Sequence, residues 1–239
     1  MQRYVESVNK HRQLILDAQD YIWKHPETGF REWKTHAYLE EAYAKLGYEL
    51  NLAGDIPGFT VELDTGRPGP TVAIFGEMDS LICASHPDAD LATGAVHACG
   101  HSAQSAALLG IAAALSEPGA LDGLSGKIRL VAVPAEELIE VEYREKLRQE
   151  GIIRYYGGKV EQTAVLTEKY PNLKLHFTEA GPRLYDHYDN DWCKWGIMIL
   201  KALGSGYSSF TGWNLMLDEA GGPNIGPFFC GGLATKNRV

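Results

Sequence analysis

The 239-residue sequence predicts an α/β fold, and three observations carry that reading. Thr71-Val-Ala-Ile-Phe75 is a nearly all-apolar run, as buried sheet strands tend to be. Residues 127–133 form a second apolar strand, and an Ala- and Leu-rich helix at 101–116 lies between the two. The order helix, helix, strands, helix, strand, helix then argues for a mixed sheet with flanking helices, followed after about residue 162 by a β-α-β fragment.

Taken in order, residues 5–24 predict one amphipathic helix, because Val5, Val8, His11, Ile15, Ala18 and Ile22 follow a near-helical spacing. Pro26 ends it. His25-Pro-Glu-Thr-Gly-Phe30 is a turn, and Glu32 to Leu46 is a second helix closed by Gly47. Tyr48–Leu52 and Phe59–Leu63 are strand candidates, and Arg67-Pro-Gly-Pro70 is a turn. Strand 71–75 runs into Gly76-Glu-Met-Asp-Ser-Leu81, which places Glu77 and Asp79 at a strand's C-terminal end, the usual functional edge of such a sheet. His86, Asp88 and Asp90 read as plain surface. Pro118-Gly119 and Gly123 mark a return loop, and Glu140–Glu150 is a charged helix solvated on one face.

Composition narrows the function classes. The formal charge is −9, from 22 basic and 31 acidic residues, with no basic block of the kind nucleic acid requires. No apolar run is long enough to span a membrane, and the polar start reads as no signal peptide. The expectation is a cytoplasmic protein with no nucleic-acid or membrane partner. Cys83, Cys99, Cys193 and Cys230 are widely spaced and form no CxxC.

The chemistry concentrates at residues 93–104, where His97, Cys99 and His101 alternate. In an extended segment they would share one face. Thiolate and imidazole together suit zinc or a similar divalent metal. Glu136-Glu137 follows strand 127–133, and two adjacent carboxylates there are costly without a compensating charge. One can ligate a metal while the other serves as base for the attacking water. Asp79 can orient a metal-binding imidazole. A buried polar cluster, a solvated acidic strand end and a loop carboxylate capping backbone N–H groups would satisfy the same residues without a metal.

Trp23-Lys-His-Pro-Glu-Thr-Gly-Phe30, Gly76-Glu-Met-Asp-Ser-Leu81, His97-Ala-Cys-Gly-His101 and Pro134-Ala-Glu-Glu137 occur in one order. Together they resemble the metal-dependent amidohydrolases of the aminoacylase and carboxypeptidase superfamily, in particular the branch with aminobenzoyl-glutamate hydrolases. The resemblance covers residues 5–161 and implies a partial catalytic domain over 1–161. It implies Cys99, His101 and Glu137 as ligands of zinc or manganese, Glu136 as general base, Asp79 as a catalytic support, and a small amide such as an N-acyl amino acid or dipeptide-like molecule as substrate. Ser102 stands where the family motif has Asp. The family uses further metal-binding histidines downstream, and His176 and His187 lie outside family-like surroundings. Activity impaired by truncation is therefore expected.

Beyond residue 162 the character changes. Residues from Thr163 to the residue before Pro171 and Asp191–Leu203 read as helices, and Leu173–Glu179 and Ser209–Leu217 as strands. A carboxylate ending a strand of a β-α-β run resembles the last part of a (β/α)₈ barrel. His176-Phe-Thr-Glu-Ala-Gly-Pro182 and Gly212-Trp-Asn-Leu-Met-Leu-Asp-Glu-Ala-Gly-Gly-Pro-Asn224 resemble the end of glucosylceramidase-like retaining glycoside hydrolases. That likeness implies a partial barrel over 162–239, Glu179 as an alternative nucleophile and Trp213 in the sugar pocket. Retaining chemistry needs a second carboxyl group about 5–5.5 Å away, supplied in that family by an Asn-Glu pair that this sequence lacks. A non-catalytic fusion or remnant is the third reading, with exposed strand edges that favour homodimerisation or aggregation.

Overall fold

A computed structural model describes residues 2–154, residues 199–200 and 203–204, and the strands Leu175–Ala180, Tyr207–Gly212, Met216–Leu217 and Ala234–Thr235. The chain falls into two units, Met1–Gly158 and Lys159–Val239.

The first unit is a mixed α/β structure. Helices α1 (Gln2–Lys10), α2 (Arg12–Lys24) and α3 (Trp33–Lys45) precede strands β1 (Asn51–Leu52), β2 (Phe59–Asp64) and β3 (Thr71–Glu77). The short strands β4 (Leu81–Ile82) and β5 (Ala95–Val96), helix α4 (His101–Leu115), strand β6 (Lys127–Val133) and helix α5 (Val141–Gln149) follow. The main sheet runs β1-β2-β6-β3. β6 pairs antiparallel with β2 and parallel with β3, so the sheet is mixed as expected. A parallel pair needs a crossover connection, and α4 is that crossover. Glu77 lies opposite Val133 in the register, which brings the ends of β3 and β6 to one edge of the sheet.

The core lies between this sheet and the helices. Ile22, Leu39, Tyr43, Phe59, Leu108, Leu109 and Leu130 are all buried in it. Gly110 lets α2 approach α4 closely, since a Cβ there would stand 2.6 Å from Ile15 Cδ1.

Three local expectations change in this unit. The single helix at 5–24 is two helices, because His11 leaves helical geometry (φ −95°, ψ 12°). Its Nε2 lies 2.8 Å from a Glu117 carboxylate oxygen, while Tyr4 and Ser7 of α1 donate to carbonyls at the end of α4 and just beyond it. The strand at 48–52 shrinks to Asn51–Leu52. Tyr48 instead closes α3, its N–H donating to Tyr43 O. β3 is the edge strand of its sheet among the described residues, not a buried one, with Val72 53 % and Phe75 59 % exposed. β6 takes a central place, and Ile74 packs into the core while Phe75 points the other way.

In the second unit, β7 (Leu175–Ala180) pairs parallel with β8 (Tyr207–Gly212), and β9 (Met216–Leu217) pairs parallel with β10 (Ala234–Thr235). The strand expected at 209–217 is thus two strands. The expected helix at 163–171 and most of that at 191–203 lie outside the described residues.

Leu109 is fully buried in the helix that carries the crossover. Leu109→Ala should lower the unfolding free energy by about 2–5 kcal/mol, measured by chemical denaturation.

Candidate metal centre

Three chain segments meet at the shared edge of β3 and β6. β3 runs on into Asp79, and the Met78 N–H continues the ladder by donating to Val133 O at 2.9 Å. β6 runs on through Pro134 into a turn at Ala135 (φ 57°) that presents Glu136 and Glu137. α4 begins at His101 beside them, after Gly100 in a left-handed conformation (φ 107°). That glycine corrects one expectation. Residues 97–101 are not extended, because Gly100 N–H closes a turn onto His97 O at 3.1 Å. His97 and Cys99 therefore share no face: His97 is buried and Cys99 exposed.

Asp79 is fully buried. Its Oδ1 lies 3.1 Å from His101 Nδ1, and its backbone oxygen lies 2.9 Å from the same nitrogen. Its Oδ2 accepts the Glu137 N–H at 2.8 Å. With Nδ1 facing Asp79, Nε2 of His101 faces the acids, 3.1 Å from Glu77 and 3.9 Å from Glu136. One donor atom each from Cys99, His101 and Glu137 lies within 4.8 Å of the others, and Glu77, His101 and Glu136 form a second such set. The residues expected from sequence as ligands, base and support thus stand together. Glu77 joins them, a residue the sequence placed at this edge without giving it a role.

The electrostatics fit a cation. Burial lowers the His101 pKa, but hydrogen bonds to Asp79, Cys99 and Glu77 outweigh it and hold the ring well above the usual histidine range. The hydrogen bond from His101 lowers the Cys99 thiol, yet the partial burial of its sulfur and the Glu137 carboxylate outweigh it and push the thiol up. As anions, the Cys99 sulfur and the Glu137 carboxylate oppose each other. A divalent cation between them removes that opposition, and thiolate, imidazole and carboxylate are donors that zinc accepts.

Sequence reasoning missed Glu32 and Arg144, both fully buried beside the Glu136-Glu137 turn. Glu32 looked like a helix start and Arg144 like one charge of a solvated helix. The available signal was the spacing of Arg144 and Leu147, which puts both on the buried side of α5. The alternative nucleophile Glu179 belongs to β7, but its side chain lies outside the described residues, as does Trp213.

Neither ring nitrogen of His97 has a hydrogen-bond partner among the described residues. Burial first, then the neighbouring His101 charge, push its pKa down to about 4. The unfolded chain therefore binds a proton here that the fold refuses. The contribution is intact above the unfolded value near 6.5 and is lost as pH falls toward about 4. Urea denaturation from pH 7 to pH 4.5 should show a pH slope that His97→Phe reduces, by roughly 3 kcal/mol at most across the window.

Residues 64–182 match peptidase family M20/M25/M40. Thermostable carboxypeptidase 1 of Saccharolobus solfataricus is 32% identical over 141 residues, covering 57% of this chain and 35% of the relative. N-acetyl-L-cysteine deacetylase of Bacillus subtilis is 31% identical over 126 residues, covering 52% and 30%. One of the subunits of p-aminobenzoyl-glutamate hydrolase of Escherichia coli is 29% identical over 139 residues, covering 55% and 29%. The chain spans about a third of the length of these curated relatives. The structure of a candidate aminohydrolase from methicillin-resistant Staphylococcus aureus aligns with a TM-score of 0.51 at 31% identity, over 58% of this chain and 37% of that one. The Bacillus subtilis YXEP protein, a dinuclear metal-binding peptidase of family M20, shares the fold with a TM-score of 0.50 at 22% identity, over 73% of this chain and 44% of that one. These matches lend no support to the glycosidase resemblance or to a barrel fragment. The family match runs on to residue 182, past the change of character read at 162. Residues 64–182 thus resemble a Peptidase M20 domain, and the chain has relatives among aminobenzoyl-glutamate hydrolases and acetylcysteine deacetylases.

Proposed function

We propose that this chain is a metal-dependent amide hydrolase acting on N-acyl amino acids or dipeptide-like substrates. The convergence of Cys99, His101 and Glu137 beside a further carboxylate, Glu136, carries the reading. Kinship with a deacetylase and an aminobenzoyl-glutamate hydrolase supports the substrate class.

Cys99, His101 and Glu137 would hold a zinc or manganese ion. Bound there, the ion supplies Lewis-acid polarisation of water and of the scissile carbonyl. Asp79 keeps His101 oriented by engaging Nδ1 at 3.1 Å, so Nε2, turned toward Glu77 and Glu136, would be the nitrogen available as a ligand. Glu136 is the proton carrier. Its side chain is 25 % exposed and stands at the His101 edge, open to a substrate. It takes a proton from the attacking water as the C–O bond forms. It returns that proton to the leaving nitrogen as the C–N bond breaks.

The purified chain should bind zinc, with Cys99→Ser and Glu137→Gln each weakening it. Zinc binding indifferent to both substitutions would defeat the assignment. With N-acetyl amino acids as substrates, Glu136→Gln should lower turnover about 100- to 10,000-fold and leave zinc content unchanged.

A further inference from the structure

The turn that carries Glu136 and Glu137 is held by Asp79 and by two buried side chains, Glu32 and Arg144, to which the site has so far given no role. Ala135 sits at φ 57°, a conformation that persists in a non-glycine residue only when its surroundings impose it. The backbone polar groups of Ala135 and Glu137 are all engaged by ionisable side chains. Ala135 N–H donates to Glu32 Oε1 at 2.8 Å, and Glu137 N–H donates to Asp79 Oδ2 at 2.8 Å. The carbonyl oxygens of both residues accept from one guanidinium, Ala135 O from Arg144 Nη1 at 3.4 Å and Glu137 O from Nη2. Glu32 comes from the start of α3 and Arg144 from α5. Both are fully buried.

The stretch His25–Glu32 is shaped around this arrangement. A Cβ on Gly29 would stand 2.6 Å from Arg144 Nη2 and 2.9 Å from Ala135 Cα, so only glycine leaves room for the guanidinium against the turn. The Phe30 ring faces the same guanidinium at 5.4 Å. Burying an arginine is costly without charge partners, and Asp79, Glu32, Glu140 and Glu137 surround this one. One planar fork with several fixed donors can hold two carbonyls at once, which a lysine ammonium does less well.

We propose that Glu32 and Arg144 are positioning residues, clamping the Ala135–Glu137 backbone from both sides so that Glu137 meets Cys99 and His101 while Glu136 stays beside them. Gly29 is the space the clamp requires. This rests on the metal-site reading and extends it to residues that touch neither ion nor substrate.

The test uses the full chain, with zinc affinity from competition against a chromophoric chelator and backbone hydrogen exchange read by mass spectrometry. Arg144→Met and Glu32→Leu should each weaken zinc about 10- to 100-fold. Both should speed exchange at Ala135 to Glu137 while protection in α4 is unchanged. Glu32→Gln keeps an acceptor for the Ala135 N–H and should restore most of the affinity that Glu32→Leu loses. Gly29→Ala should behave like Arg144→Met. Unchanged affinity and exchange in the Arg144 and Glu32 variants, with zinc still dependent on Cys99, would overturn the clamp and leave the proposed function standing. Loss of α4 protection in step with the turn, with no rescue by Glu32→Gln, would also overturn it, because the residues would then serve the fold at large. If the wild-type chain binds no zinc, the proposed function falls and exchange decides the clamp alone. Faster exchange confined to Ala135–Glu137 supports it, and unchanged exchange refutes it.

Discussion

A single buried carboxylate ties the site to the fold. Asp79 has no access to water, and a charge in that position is tolerable only when its surroundings supply partners. One oxygen faces His101 Nδ1 at 3.1 Å, and the other accepts the Glu137 N–H at 2.8 Å. These partners come from the start of α4 and from the turn after β6, while Asp79 itself follows β3. Satisfying one side chain therefore brings three segments together. The parallel pairing of β3 with β6 makes this possible, because it leaves both strand ends on the same side of the sheet. The next residue extends the tie: Ser80 N–H donates to Glu27 O at 2.8 Å, joining the edge to the stretch that seats Arg144.

Much of this was readable in the residues, and the exceptions have physical causes. α4 and β6 announce themselves because a long Ala- and Leu-rich run and a short apolar run bounded by turn residues leave few alternatives. The residue types of the candidate site were readable because thiolate, imidazole and paired carboxylates are costly to gather without a compensating charge. Which faces they occupy was not. Alternation placed His97 with Cys99 and His101, but a left-handed Gly100 turns the chain between them and sends His97 into the interior. The exposure of β3 is set by which strand becomes central, a property of pairing that an apolar run cannot express. Glu32 and Arg144 escaped notice for a related reason. A charged residue in a charged segment looks solvated, and only the tertiary structure shows that each is part of the other's environment.

The cluster also ties stability to charge in two opposite directions. Burial, then the Asp79 charge, raises Glu32 to about 8. A raised carboxyl group contributes stability that is complete below its unfolded value of 4.5 and is lost as pH rises through the folded value. His97, pushed down by burial, acts in the other direction and loses its contribution in acid. Near neutrality the fold therefore carries the cost of crowded acids, and His101 and Arg144 are the cations placed to relieve it. A divalent ion held by Cys99, His101 and Glu137 would add positive charge where the acids are densest. It would also take over the lone pair that His101 otherwise spends on a proton. Part of its binding free energy would thus appear as folding free energy, because the groups that hold the ion are those that hold β3, α4 and the turn after β6 together.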